Sequence, residues 1–193
     1  MGTFFWRVFV TMFVIIDPVG GVPVFLTLTR GRTRRGRLAL QAVVAAFVLV
    51  LAFGLFGQQI LRYLGISIPS LQVAGGLLLA LLSLQELRGE IAPEQAKHNV
   101  ALVPLATPLL AGPGAIAATM LFFREANGVG ERFILVGALA LVLAITWVAL
   151  WAAEAIRRVL KETGIEFLTR VFGLLLAAIA VQFVADGIRG LVD

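Results

Sequence analysis

Long apolar runs separated by short polar connections dominate this chain. A helix that crosses a bilayer needs about 20 mostly apolar residues. We predict such helices over six ranges, namely 3–29, 38–61, 66–87, 99–123, 132–153 and 167–188. The longest polar connections, 88–98 and 157–166, leave no room for a further domain. The pattern predicts an all-α polytopic membrane protein with six transmembrane helices, in which residues 1–193 form a single transmembrane domain.

The first and fourth runs are both interrupted by prolines and glycines. The prolines and the residues before them recur at a constant shift of 90 positions: Asp17, Pro18 and Pro23 in the first run, and Thr107, Pro108 and Pro113 in the fourth. Asp or Thr before proline is typical of a helix start, because the side chain caps free N–H groups and proline lacks the N–H that would be unpaired there. A residue before proline is also disfavoured in the α conformation. We therefore expect helices to end near Ile16 and Ala106, and the second proline of each pair to extend the irregular stretch.

Two further matches indicate an internal repeat. Residues 76–80 recur as residues 173–177, and Gln85 recurs as Gln182, both at a shift of 97. Repeats of about 1–90 and 97–193 would hold three helices each, and an odd number inverts the second repeat relative to the first. A 3+3 inverted repeat with discontinuous helices in matching positions is a recurring plan of secondary transporters, which bind their solutes near the midplane.

The two interruptions are the candidate binding site. Unpaired backbone groups cannot face lipid, so both broken segments must pack in protein or line a wet cavity. Half-helix N-termini suit a carboxylate, and free carbonyls suit an ammonium group or a cation. A single cluster of this kind is more often a kink or a close-packing site, whereas two matched clusters favour a binding site. The candidate substrate-binding residues are Asp17, Pro18, Gly20, Gly21 and Pro23, with Thr107, Pro108, Gly112, Pro113, Gly114 and Ala115.

Asp17 is the one carboxylate that lies well inside a predicted span. Placing a charge at the midplane costs about 2.5–3.5 kcal/mol on insertion scales, so such residues usually pair or function. Three roles stay open for Asp17: it binds a substrate amine, it carries a proton, or it only caps a half-helix.

Other polar residues of the predicted spans are weaker candidates. Gln85 and Gln182 are secondary candidates, which either face the cavity or hydrogen-bond between helices. Three acidic residues lie near span ends, where we expect them to be solvated: Glu86, Glu154 and Asp186.

Composition agrees with a membrane location. Hydrophobic residues make up 60% of the chain and charged residues 14%, against about 25% charged residues in soluble domains. Eleven of the 16 basic residues fall in the first, third and fifth connections. The positive-inside rule places these connections in the cytoplasm and both termini outside. The net charge of +5 therefore indicates topology, and we expect no nucleic-acid partner.

Several chemistries are excluded or disfavoured by residue content. The chain has no cysteine and a single histidine, His98, in a polar connection. This removes disulfides, thiolate nucleophiles and cysteine or histidine metal sites, and we expect no metal and no cofactor. An intramembrane enzyme would also need a nucleophile, base or metal set within the spans, so we expect no enzyme. The N-terminal run lacks a small-residue cleavage site, and we expect Met1 to begin the mature chain.

Five stretches carry a family resemblance: residues 17–25, 56–69, 74–76, 103–116 and 169–187. In these stretches the chain resembles the MarC family, also called the small neutral amino acid transporter family. The run from Pro108 to Gly114 is the most specific part. The resemblance implies a six-span protein of the cell inner membrane that transports glycine and alanine, with proton coupling.

These observations lead to one hypothesis and its alternatives. We expect an alternating-access transporter for a small zwitterionic solute, driven by a proton or another cation. The substrate carboxylate would bind N–H groups around residues 112–115, and the amine would bind carbonyls near residues 17–21. A channel or passive pore, or a non-transporting structural or assembly factor, is the alternative.

Overall fold

The computed structural model describes residues 2–29, 33–89 and 110–192. These residues form helices and contain no strand. The helices are α1 (Gly2–Ile16), α2 (Gly21–Leu28), α3 (Arg35–Tyr63), α4 (Ile68–Arg88), α5 (Pro113–Glu125), α6 (Gly128–Trp151) and α7 (Ala153–Val192). The predicted all-α class is confirmed for the described part of the chain.

Among the described residues, four helices are long and apolar enough to cross a bilayer: α3, α4, α6 and α7. They cover the second, third, fifth and sixth predicted spans. The ends of α4 have clear local causes. Ser67 caps its first turn by accepting a hydrogen bond from the N–H of Ser70 at 3.1 Å. Gly89, with a φ of 71°, ends it in the left-handed conformation that glycine adopts without strain.

The first predicted span is broken, as expected. Helix α1 ends at Ile16, and α2 continues at an angle of 46° to it. The expected capping by Asp17 and Pro18 is wrong in detail, because the two residues lie in the turn and α2 begins only at Gly21. Pro23 does not extend the irregular stretch either; it lies in the first turn of α2. That position tolerates proline because first-turn N–H groups have no partner inside the helix.

The fourth predicted span is described only from Leu110 onwards. Pro113 begins α5 and Gly112 precedes it in an extended conformation, so here too the second proline lies in the first turn of a helix, whereas an irregular stretch was expected. Thr107 and Pro108 lie outside the described residues, as does the expected helix end at Ala106. Helix α5 has 13 residues, which at 1.5 Å per residue is too short to cross a bilayer.

The polar segment before the sixth span is helical, which the hydropathy pattern did not predict. Helix α6 ends at Trp151 and α7 begins at Ala153, so only Ala152 lies between them. Its one non-helical residue is Lys161, with φ 55° and ψ 179°. Arg, Lys and Glu are good helix formers and no proline interrupts them, so the polar residues on both sides of the kink at Lys161 are helical.

Helices α4 and α7 pack along each other in opposite directions. A Cβ added to Gly187 would lie 2.9 Å from the Pro69 carbonyl oxygen, and a Cβ added to Gly173 would lie 3.0 Å from Glu86 Cβ. Contacts that run from the start of one helix to the end of the other show an antiparallel pair. Four buried positions of α4 have buried counterparts 97 positions later: 72, 76, 79 and 83 pair with 169, 173, 176 and 180.

Candidate functional site

The turn between α1 and α2 buries the carboxylate of Asp17, a residue whose backbone is strained. Asp17 is only 7% exposed, and its φ of 41° is one of two positive values among the described non-glycine residues. Its N–H donates to the carbonyl of Phe13, and its own carbonyl accepts from the N–H of Gly21. Left-handed backbone at a non-glycine residue costs of order 1 kcal/mol or more and is often found at functional sites.

The side chain of Asp17 folds back over its own turn. A Cβ added to Gly20 would lie 1.7 Å from Oδ2 of Asp17, so any larger residue would displace the carboxylate. The carboxylate faces the N–H groups of Val19 and Gly20. Its other oxygen, Oδ1, is buried without a hydrogen-bond partner among the described residues. Part of the carboxylate is therefore available to a further donor.

Pro18 leaves free carbonyls at the end of α1. Because proline has no N–H, the carbonyl of Val14 loses its usual partner. The carbonyls of Ile15 and Ile16 also accept no backbone hydrogen bond from a described residue. The last carbonyls of a helix carry partial negative charge. A cationic group is the ligand that suits this end of α1.

Helix α5 presents the opposite polarity. Gly112 precedes it without a side-chain cap, and the first backbone bond of the helix runs from Ile116 N–H to the Gly112 carbonyl. The N–H groups of Gly114 and Ala115 donate to no described backbone carbonyl. Free N–H groups at a helix start favour an anion.

Helices α1 and α5 contact each other. The rings of Phe4 and Phe122 are 6.3 Å apart, and Thr119 Oγ1 lies 3.8 Å from Met12 Sδ. Each helix extends five residues beyond the Met12–Thr119 contact, to Asp17 and to Gly114, which is about 7.5 Å. Both helix ends therefore lie within about two turns of a contact between the two helices.

The packing around α5 depends on its glycines. A Cβ added to Gly114 would lie 2.1 Å from Leu79 Cδ2 of α4. Gly114, Ala115 and Gly112 are buried, whereas Pro113 is exposed. In the first segment, Pro18 and Gly21 are buried and Gly20 and Pro23 are partly buried. The described candidates of both segments thus lie within two short, mostly buried stretches.

The glutamines do not bond between helices. Gln182 is exposed and donates to Asp186 of its own helix at 2.8 Å. Gln85 is also exposed and forms no hydrogen bond with another described helix. Interhelical bonds, one of the two alternatives for these glutamines, are therefore not formed among the described residues, where both side chains lie on exposed faces of α4 and α7.

Glu86 is a half-buried acid that sequence reasoning did not anticipate. It was expected to be solvated, yet it is partly buried against Gly173 and its Oε2 has no partner among the described residues. The sequence did contain a signal for this burial. Glu86 continues the series of buried positions 72, 76, 79 and 83 on the face of α4 that packs on α7. The described residues contain no cluster of three acidic or histidine side chains that would suit a metal ion.

Comparisons with known proteins agree with one another. The family model described as MarC family integral membrane protein matches residues 2–192. A "UPF0056 membrane protein" of Methanocaldococcus jannaschii is 43% identical, with 97% of each chain covered. A protein of the same name from Aquifex aeolicus is 35% identical, covering 98% of this chain and 94% of the relative. The UPF0056 membrane protein YhcE of Escherichia coli is 31% identical, covering 97% and 93%. No solved structure matches the chain.

Proposed function

Because this chain belongs to the MarC family of integral membrane proteins, we propose that it is a secondary transporter of small neutral amino acids. The observation that carries the proposal is that two helix ends of opposite polarity, at Val14–Asp17 and at Gly112–Ala115, each lie about 7.5 Å beyond the Met12–Thr119 contact. A zwitterion such as glycine needs one site for its ammonium group and one for its carboxylate, close together. We propose that these are the carbonyls of α1 and the N–H groups of α5 that have no backbone partner among the described residues.

The substrate is small because the two segments leave little room. Gly114 already contacts Leu79, and the side chain of Asp17 covers Gly20. The ammonium group would bind the Val14, Ile15 and Ile16 carbonyls with Asp17 beside them. The carboxylate would bind the N–H groups of α5. A bulky side chain on the substrate would have no space between these segments, which favours glycine and alanine.

We further propose the 3+3 inverted repeat that the sequence predicts. Its support is the α4–α7 pair, whose buried positions match at a shift of 97 and whose contacts are antiparallel. Six of the eight buried positions of α3 likewise have buried counterparts 96 positions later in α6: 39, 42, 43, 46, 50 and 54 pair with 135, 138, 139, 142, 146 and 150. In such transporters one repeat rocks against the other around a fixed central site. The protein would lie in the cell inner membrane, with both termini outside.

Uptake of radiolabelled glycine by proteoliposomes tests the function. We expect saturable uptake that rises with an imposed proton gradient and exchange that is accelerated by unlabelled glycine inside the vesicles. Asp17→Asn should lose the dependence on the gradient, while the exposed Glu162→Gln serves as the matched control. Flux without saturation and without acceleration by internal glycine would show a passive pore. No flux, in vesicles that contain folded protein, would contradict transport of this substrate.

A further inference from the structure

The start of α3 lies against the end of α6 and the start of α7. The guanidinium group of Arg35 forms an ion pair with the carboxylate of Glu154, and its Nε also donates to the carbonyl of Thr29 at 3.3 Å. A Cβ added to Gly36 would lie 2.9 Å from Cδ1 of Trp151. Three helices, α3, α6 and α7, therefore each have an end at this place.

The first part of α7 lies along one face of the membrane. At its other end, a Cβ added to Gly89 would lie 3.8 Å from Oε1 of Glu166, so Glu166 is next to the end of α4. Helices α3 and α4 are long and apolar enough for one crossing each, and two successive crossings return the chain to the face from which α3 began. Both ends of residues 154–166 therefore lie at that face, with the kink at Lys161 between them.

This part of α7 has an apolar side and a basic side. Two of its side chains pack on the hydrophobic core, Ile156 and Leu160. Arg157 and Arg158 are exposed, and they follow Glu154 by three and four residues, so the three share one side of the helix. Because Glu154 contacts the start of α3, the two arginines lie on the side that adjoins α3. Amphipathic helices with a basic side are typical of surfaces that contact lipid headgroups.

Exposed apolar side chains accompany the basic ones. Val159 is 80% exposed and follows Arg158 directly, and Trp151, at the end of α6, is 68% exposed. Tryptophan is enriched at the level of the headgroups in membrane proteins. A lipid whose headgroup meets the arginines can therefore lay its acyl chains against apolar side chains.

Positive charge is in excess on this surface. Five of its cations are exposed and take part in none of the described ion pairs: Arg34, Arg37, Arg157, Arg158 and Lys161. The acidic residues in the same described segments, 33–37 and 153–162, are Glu154, which pairs with Arg35, and Glu162. Guanidinium groups bind phosphate oxygens through two parallel hydrogen bonds. The ligand that suits this surface carries a phosphate group and a net negative charge.

We propose that this basic surface, formed by the five cations of α3 and α7, binds the headgroups of anionic phospholipids in the adjoining leaflet. A zwitterionic headgroup gains less, because its own positive charge opposes the arginines. Since the cations come from two helices, one headgroup that meets both stabilises the contact between the starts of α3 and α7. The site does not depend on the proposed transport function.

Fluorescence quenching at single cysteines tests the proposal in vesicles of the full chain. The chain has no cysteine, so Val159→Cys carries a fluorophore next to Arg158, and Val129→Cys carries it on an equally apolar, exposed position at the start of α6. Vesicles of phosphatidylcholine contain a small fraction of nitroxide-labelled phosphatidylglycerol or of nitroxide-labelled phosphatidylcholine. We expect phosphatidylglycerol to quench more strongly at position 159 and both lipids to quench alike at position 129. Added salt should reduce the difference at position 159, because exposed charges are screened.

Removal of cations should weaken the preference for the anionic lipid. With the fluorophore at position 159, a double variant of α7 should lower the relative association constant of phosphatidylglycerol on the order of fivefold for each cation removed: Arg157→Gln with Arg158→Gln. A double variant of α3 should act in the same direction: Arg34→Gln with Arg37→Gln. The matched control removes the same charge from exposed residues at the opposite ends of α3 and α6: Arg62→Gln with Arg132→Gln.

The outcomes decide between a site and general attraction. Equal quenching by both lipids at position 159, before any cation is removed, overturns the proposal. An equal loss of preference in the control variant also overturns it, because net charge alone would then explain the effect. Inorganic phosphate that abolishes the difference at constant ionic strength would assign the surface to a free anion and not to a lipid. A preference that is lost in the α3 and α7 variants alone supports the lipid site, whether or not the protein transports glycine.

Discussion

Gly76 of α4 and Gly173 of α7 occupy equivalent places in the contact between their helices. A Cβ on Gly76 would lie 2.9 Å from the carbonyl oxygen of Ala180, and a Cβ on Gly173 would lie 3.3 Å from the carbonyl oxygen of Ser83. Position 83 precedes 180 by the same 97 residues that separate 76 from 173. Each glycine therefore allows the backbone of the opposite helix to approach, as small residues do between membrane helices.

Substituting Gly76 should destabilise the helix pair. Gly76→Ala forces a methyl group against the Ala180 carbonyl and against Phe183 Cβ at 3.0 Å, and overpacking of this kind costs about 1–3 kcal/mol. Gly137→Ala is the matched control, because a Cβ there meets nothing within 4 Å and alanine is the better helix former. Thermal unfolding in detergent checks the difference. Equal unfolding temperatures for the two variants would contradict the close contact.

Engineered cysteines should report the antiparallel register. The chain has no cysteine of its own, so any cross-link comes from the introduced pair. Glu86→Cys with Gly173→Cys, and Gly76→Cys with Phe183→Cys, both place Cβ atoms about 3.0 Å apart. A shift of about half an ångström brings them into the range of disulfides. We expect both pairs to cross-link under mild oxidation, and Glu86→Cys with Gly137→Cys to remain reduced.

The contact between Gly114 and Leu79 should show strong coupling. Gly114→Ala alone places a methyl group 2.1 Å from Leu79 Cδ2, and Leu79→Ala alone empties a fully buried site, which costs about 2–5 kcal/mol. In the double variant the smaller residue at position 79 makes room for the new methyl group. The loss of unfolding free energy should therefore be smaller than the sum of the two single losses. Strict additivity would show that the two residues do not touch.

Pro113→Ala should separate function from folding. At the first position of α5 an N–H group would have no partner inside the helix, so the missing N–H of proline costs nothing there and we expect a change in unfolding free energy below about 1 kcal/mol. Alanine, however, permits the helix to continue backwards and use the N–H groups that we propose bind the substrate carboxylate. Glycine uptake should fall while stability stays near that of the wild type. Undiminished uptake would show that the start of α5 is not part of the binding site.

Labelling of single cysteines should establish the orientation. Thr3→Cys and Val192→Cys lie on exposed positions near the two ends, and Arg158→Cys on an exposed basic segment of α7. A membrane-impermeant maleimide applied to intact cells should label the first two variants and spare the third. The reverse pattern would place both termini in the cytoplasm.

The long helices were predictable because their cause is local. Hydropathy over about 20 residues marks a span, and the N-terminal neighbour of Pro18 ends α1 at the expected place. The second prolines were misinterpreted because proline is unfavourable inside a helix but neutral in its first turn. Hydropathy could not show whether Pro23 and Pro113 lie inside a helix or in its first turn, because the residue at which each helix begins depends on how the chain bends.

Glu86 illustrates what the sequence could not show. An acidic residue near the end of an apolar run is usually solvated, and only the approach of Gly173 buries it. That approach depends on a helix 97 positions away and on the register between the two. The matching buried positions of α4 and α7 carry this information. They predict a contact, however, only when it is known which helix packs against which.

The order in which the ribosome delivers the helices has a consequence for the first of them. Helix α1 packs chiefly on α6 and α5, and α2 packs on α7 and α6, so the segments made first have their main partners among those made last. Until α7 emerges, the carboxylate of Asp17 and the broken backbone beside it lack their final surroundings. Nascent chains shortened before residue 153 should therefore be held by the insertion machinery or degraded, because unsatisfied polar groups are not stable in lipid. On this view the first segment reaches its final packing only after α6 and α7 have been made.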